Sequence, residues 1–167
     1  EDAEALEAEL EGELPADYCE RVTRAKLHAA RRRLAALKGE PAPILCSDTT
    51  VALGRRILGK PRDADHAIET LSALSGRTHR VITAVAIASG RREWLAVSVS
   101  RVHFAAMPAE AIARYVASGE PFGKAGAYAI QSGIAAWISR IEGSYSGIMG
   151  LPLFETAQLL RQAGVKF

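Results

Sequence analysis

Two apolar runs of period two face each other across a short turn signal, and this constrains the fold more than any other feature. Val81, Thr83, Val85 and Ile87 form the first run. Leu95, Val97 and Val99 form the second, after Ser89-Gly90-Arg91-Arg92. Period-two alternation suits a strand with two distinct faces, and a glycine turn between two such runs predicts a β-hairpin. A hairpin is antiparallel by construction, so an all-helical chain and a purely parallel sheet are both excluded.

Helical signals surround that hairpin. Pro15 opens a helix to about Lys38, with Tyr18, Val22, Ala25, Ala29 and Leu37 near helical spacing and Gly39 as its stop. Pro41 and Pro43 then lead into Ile44-Leu45-Cys46, which predicts a buried strand that breaks off at Ser47-Asp48-Thr49. Asp63 or Asp65 can cap a helix with Ala67, Ile68, Leu71 and Leu74 on one side, closed by Gly76. Pro108 and Gly119 bound another helix, and Pro152 and Gly164 bracket the last. Tyr128 to Gln131 and Ala135 to Ile141 predict two short strands. The expected fold is α/β, a mixed twisted sheet flanked by helices. No repeat or long linker divides the 167 residues, so residues 1–167 are expected to form a single domain.

Composition narrows the function classes. A 49% hydrophobic content argues against disorder, and every apolar stretch breaks well short of the ~18 residues a membrane span needs. The net charge of +2 is too mild for a nucleic-acid binder, but the charges are segregated. Glu1, Asp2, Glu4, Glu7, Glu9, Glu11 and Glu13 precede Arg21, Arg24, Lys26, Arg31, Arg32, Arg33 and Lys38. A basic run on a helix is a solvated face, or else a phosphate or partner surface. Nucleic-acid binding through Arg31 to Arg33 lacks the interleaved aromatics such a surface uses. Cys19 and Cys46 fit no metal or redox spacing, and no leader pattern opens the sequence, so a reducing cytoplasm is expected.

Three segments carry candidate chemistry. Gly54 to Lys60 matches the G-x-x-x-x-G-K spacing of a phosphate loop, but Pro61 stands where that loop needs a metal-binding hydroxyl. Proline also disfavours helical geometry at Lys60, so this lysine is expected to meet phosphate from an extended segment. Asp48, at the end of its predicted strand, sits where α/β sheets place catalytic groups and could hold a divalent ion or deprotonate water. Asp followed by Thr-Thr is equally ordinary turn chemistry. Between Gly119 and Ser132, small residues around Lys124 let backbone approach a ligand closely, and the Gln131 amide can read a base edge. The alternative there is a surface glycine loop. His28, His66, His79 and His103 share no ligand spacing, and Trp94 and Trp137 suit core or strand-face positions.

Assembled in order, these blocks resemble the Maf family of nucleoside triphosphate pyrophosphatases. The matching residues are Ser47-Asp48-Thr49, Leu58-Gly59-Lys60-Pro61 and Leu74-Ser75-Gly76-Arg77-Thr78-His79. They continue with Gly119-Glu120-Pro121, then Gly123-Lys124-Ala125-Gly126-Ala127-Tyr128-Ala129-Ile130-Gln131. Arg140-Ile141-Glu142-Gly143-Ser144-Tyr145-Ser146 and Gly150-Leu151-Pro152-Leu153 close the series. The resemblance implies a Maf/ITPase-like two-lobed domain that splits a nucleoside triphosphate into monophosphate and pyrophosphate with magnesium or manganese. It makes Asp48 the proton acceptor and a metal ligand, and Thr49 and Gln131 specificity positions. Lys60 and Lys26 would face the phosphates, with Lys124 as a further substrate contact. The D-T and G-K-A-G-x-Y-A-I-Q blocks match the branch that prefers dTTP and UTP. The branch linked to 7-methyl-GTP usually has glutamine after the aspartate, where this chain has Thr49. Family members often pair as homodimers.

One block of the family pattern has no counterpart here. Members begin with a strand and a Ser-x-Ser-Pro-Arg-Arg segment that lines the triphosphate site. Arg31-Arg32-Arg33 does not replace it, because it lies inside a helix and lacks the Ser-x-Ser-Pro lead. The chain starts at Glu1, and the expectation is a domain without its N-terminal strand. The competing functional reading is a non-catalytic nucleotide-sensing or interaction protein on the same fold, and a 7-methyl-GTP pyrophosphatase is a further alternative. Asp48, Lys60 and Gln131 together favour the enzyme, since an interaction module needs no such set.

Overall fold

The computed structural model describes residues 4–37 and 42–167. After a 3₁₀ turn at Glu4–Glu7, α1 spans Pro15–Ala36, with Pro15 at its first turn, where a missing N–H costs nothing. The predicted end at Lys38-Gly39 lies outside the described residues. Strand β1 spans Ile44–Leu53 and β2 spans Arg56–Leu58; α2 covers Ala64–Leu74. The hairpin strands are β3, Thr78–Ser89, and β4, Arg92–Phe104. Then come α3 at Ala109–Ala117, β5 at Ile138–Glu142, the single-turn α4 at Tyr145–Ile148 and α5 at Leu153–Gln162.

The five strands form one sheet in the order β2-β1-β3-β4-β5, and all four neighbouring pairs are antiparallel. This corrects the expected mixed sheet. Strands β2 and β3 do run in the same direction, joined through α2, but β1 lies between them and is antiparallel to both. A β-α-β pattern in sequence therefore leaves no parallel pair in space among the described residues. The predicted hairpin is present, with Ser89 opposite Arg92 and Gly90 at φ 58°. A positive φ at the first loop position matches the twist of the flanking strands, and glycine adopts it without steric cost.

Strand β3 is central and buried on both faces along most of its length. One face, with Ile82, Ala84, Ala86 and Ala88, packs under α1 through Cys19 and Leu27. On the other, Val81 joins a cluster with Leu71 and Leu74 of α2 and Ile112 and Val116 of α3. Leu71 and Leu74 are fully buried, and each contributes about 1.5–3 kcal/mol relative to exposure. Asp63 caps α2 by accepting the His66 N–H at 2.8 Å. Of the four apolar residues expected on the inner side of α2, Ile68 points out instead, 38% exposed, and Thr70 is buried. Helical rotation brings Thr70, not Ile68, onto the stripe defined by Ala67, Leu71 and Leu74.

Two further expectations are corrected. Strand β1 does not stop at Cys46. It runs through Ser47-Asp48-Thr49 to Leu53, because β3 supplies a ladder partner for every residue from Ile44 to Ala52. Its start is only half-buried, with Leu45 39% exposed. The predicted strand over Tyr128–Gln131 is absent: those residues form a turn, and Gly133–Trp137 is a 3₁₀ segment leading into β5. Tyr128 and Ile130 are both buried. Burial alternates here as it would in a strand, with Ala129 half-buried and Gln131 exposed, but the segment has no ladder partner among the described residues.

Candidate active site

Strand β2 pairs with β1 only at Val51–Leu53, which leaves residues 44–50 of β1 without a neighbour on that side among the described residues. A cavity of about 320 Å³ opens along this edge. Polar side chains persist in mid-strand here because the edge faces a cleft and not a packed core.

All six residues singled out from sequence line this one cavity: Lys26 from α1, Asp48 and Thr49 from β1, Lys60 after β2, and Lys124 and Gln131 from the loop after α3. Asp48 is in mid-strand, not at a strand end or in a turn cap. Its carboxylate accepts the Lys26 ammonium at 2.5 Å. Lys26 also donates to Glu7 at 2.7 Å, and the other Glu7 oxygen accepts from Lys60 at 2.9 Å. Two carboxylates and two ammonium groups thus form a chain from Asp48 to Lys60. Sequence reasoning did not single out Glu7, because seven acids in thirteen residues offer no pattern that separates one from the rest.

Burial lifts the Asp48 carboxyl above its ordinary value of 3.8, and the Glu7 charge adds to the lift, while Lys26 pulls the other way without cancelling it. Burial also works against the Lys26 ammonium, but bonds and charge from Asp48 and Glu7 outweigh it and hold the group above 10.5. Glu7 is less enclosed. Its burial cost is outweighed by bonds to Lys26 and Lys60, and its carboxyl lies below 4.5.

The cavity's other walls are held by long-range hydrogen bonds. The Ser47 hydroxyl donates to the Gly150 carbonyl. Thr83 donates to the Gly147 carbonyl at 2.7 Å, which commits its only hydroxyl proton. The 2.9 Å bond between Thr49 and Thr83 must then use the Thr49 proton, so Thr49 keeps only acceptor capacity. The Gly126 N–H donates to the Gly59 carbonyl at 3.1 Å and joins the Lys60 segment to the Lys124–Gln131 loop. Below that loop, the Tyr128 hydroxyl and His79 Nε2 lie 2.7 Å apart, and burial pushes His79 down to about 4. His79 is therefore a neutral core histidine.

The remaining candidates fall elsewhere. Arg31 binds Glu93 and the Gly90 carbonyl, and His28 reaches Glu93 at 3.2 Å, so this part of the basic run ties α1 to the hairpin. Trp94 and Trp137 pack partly buried against core clusters. Cys19 and Cys46 are free thiols. Among the described residues, no helix is long and apolar enough to cross a membrane, and no group of three or more His, Cys, Asp or Glu gathers as a metal site.

Residues 1–163 match the Maf-like protein family. The chain belongs to the Maf family. Within it, a dTTP/UTP pyrophosphatase of Polaromonas sp. (strain JS666 / ATCC BAA-500) is 64% identical over 99% of this chain and 82% of its own length. The dTTP/UTP pyrophosphatase of Albidiferax ferrireducens is 59% identical over 99% of this chain and 83% of its own. That of Cupriavidus pinatubonensis is 60% identical over 100% of this chain and 84% of its own. Of the blocks that carried the resemblance, Ser47-Asp48-Thr49, Leu58-Gly59-Lys60, Gly123–Ala125 with Tyr128–Gln131, and Gly150 line the cavity.

Proposed function

We propose that this Maf protein hydrolyses dTTP and UTP to the monophosphate and pyrophosphate, with Asp48 as the base that orients and deprotonates the attacking water. The observation that carries this reading is the chain Asp48–Lys26–Glu7–Lys60 on one side of a cavity whose other side carries Thr49 and Gln131. The names of the relatives support the same substrates.

The geometry divides the labour. A triphosphate brings several negative charges, and cations held in a partly desolvated cleft stabilise the charge that builds up on the leaving pyrophosphate. Lys26 meets that need from a half-buried position, and Lys60 and Lys124, both exposed along the cavity, add two more ammonium groups. Asp48 is more basic than an ordinary aspartate because it is buried, which favours taking a proton from water. Thr49 offers an acceptor and Gln131 offers both donor and acceptor, which suits the N3–H flanked by carbonyls on a thymine or uracil edge.

A divalent cation fits this donor set. Glu7 and Asp48 direct carboxylate oxygens at one point, where the Lys26 ammonium sits, and magnesium commonly uses one or two carboxylates together with substrate phosphates. Bound there, magnesium or manganese would supply charge neutralisation at the phosphoryl oxygens. The two-lobed single-domain arrangement, the cytoplasmic location and a homodimer complete the reading.

The test is a pyrophosphate-release screen over canonical and modified triphosphates, coupled to inorganic pyrophosphatase, with Asp48→Asn alongside. The expected result is fastest turnover of dTTP and UTP, and a loss of about 10²–10⁴-fold in the variant. Near-normal release by Asp48→Asn would end the assignment of the base. Preference for 7-methyl-GTP, or silence on every triphosphate, would replace the proposed function with one of its alternatives.

A further inference from the structure

Glu7 reaches the site from a segment that has little apolar anchorage of its own. Leu10 and Leu14 are 57% and 42% exposed, and Leu6 beside Glu7 is only half-buried. Polar contacts from one face of α1 hold it instead. The Tyr18 hydroxyl donates to the Glu7 carbonyl at 2.8 Å. Arg21 donates from Nη2 to the Ala8 carbonyl at 2.8 Å and grips the Glu13 carboxylate through Nε and Nη2 at 2.6 and 2.8 Å. Glu13 in turn accepts the Leu10 N–H at 3.3 Å. The guanidinium lies 5.4 Å from the centroid of the Tyr18 ring, so the two clamp residues also support each other.

Helical spacing explains why one helix can do this. Tyr18 and Lys26 are two turns apart and share a face, with Arg21 beside Tyr18 one turn on. Glu7 is therefore gripped twice from α1, by its backbone at Tyr18 and by its carboxylate at Lys26. Burial and nearby carboxylates push the Tyr18 phenol up to about 12, which keeps it a neutral donor across the working range.

We propose that Tyr18 and Arg21 are positioning residues: they hold segment 4–14 against α1 so that the Glu7 carboxylate stands between Lys26 and Lys60. This rests on the site reading above; Arg21 lies outside the cavity lining, and Tyr18 lines it but commits its hydroxyl proton to the Glu7 carbonyl. Their effect passes entirely through Glu7.

The experiment compares Tyr18→Phe, Arg21→Gln, Glu7→Gln and the Tyr18→Phe/Glu7→Gln double variant of the full chain. Amide hydrogen exchange is followed over residues 8–14, alongside kcat and KM for dTTP at saturating magnesium. Tyr18→Phe keeps the ring and loses one oxygen, so the core is untouched. Loss of a hydrogen bond is expected to raise exchange in the segment and lower kcat by about tenfold, with KM little changed. In the Glu7→Gln background, Tyr18→Phe is expected to change kcat by less than about twofold, because two residues acting through one group are not additive. Unchanged exchange in both clamp variants would overturn the proposal. So would a kcat loss from Tyr18→Phe that persists in full without the Glu7 carboxylate. A Glu7→Gln enzyme with the wild-type rate would instead overturn the role given to Glu7 above, and the exchange data would still decide the clamp.

Discussion

Gly126→Ala tests the link between backbone conformation and the site. Gly126 has φ 67°, and a Cβ built on it would stand 2.8 Å from Val51 Cγ1 and 3.0 Å from Val51 Cβ and Cγ2. Placing an L side chain in the left-handed region costs roughly 1–2 kcal/mol. Val51 is buried in β1 and cannot swing aside without disturbing the ladder, so overpacking adds about 1–3 kcal/mol. The sum is about 2–5 kcal/mol, and at about 2–4 °C per kcal/mol for a chain of this size Tm should fall by about 4–20 °C. Function should suffer separately, because the same residue donates to the Gly59 carbonyl and sets the distance between Lys60 and the Lys124–Gln131 loop. Thermal unfolding and dTTP kinetics on the soluble variant measure both effects. Adding Val51→Ala should restore part of the lost stability by removing the clash, while the φ cost remains. A Gly126→Ala protein that melts within about 2 °C of wild type would refute the close-approach argument, as would a Val51→Ala double variant with no recovery.

Three other measurements address the chemistry and its charged groups. Gln131→Ala should flatten the preference among nucleoside triphosphates, with the larger effect on KM for dTTP and UTP, and an unchanged substrate profile would remove its reading role. The pH profile carries a sign for each carboxylate. Asp48 must be ionised to act as base, so activity should fall as pH drops through a value above 3.8, and Lys26→Met should move that limb to still higher pH by removing a charge that favours the carboxylate. Glu7 acts on stability instead: its folded value lies below 4.5, so its bonds to both lysines stabilise the fold above that pH and are lost as pH falls through the folded value. Acid unfolding of Glu7→Gln should therefore show a shallower loss over that window than wild type.

Local signals in the sequence determined much of this protein. Period-two alternation around Gly90 specified the β3–β4 hairpin, Pro15 the start of α1, and the Asp63/Asp65 pair the capped start of α2, because each depends on neighbours a few residues away. The motif blocks likewise pointed to Asp48, Thr49, Lys60 and Gln131 before any geometry was known. Tertiary structure decided what those signals lacked. It placed β1 between β2 and β3 and so made every strand pair among the described residues antiparallel, extended β1 through Asp48 because β3 offered a ladder partner, and turned Tyr128–Gln131 from a strand into a loop. It also brought Glu7 to Lys60 across 53 positions and Ser47 to Gly150 across 103. Such contacts leave no periodicity in the sequence around them. They exist only once burial of the sheet faces has set where each helix and loop must lie, and the candidate cleft is built mostly from contacts of that kind.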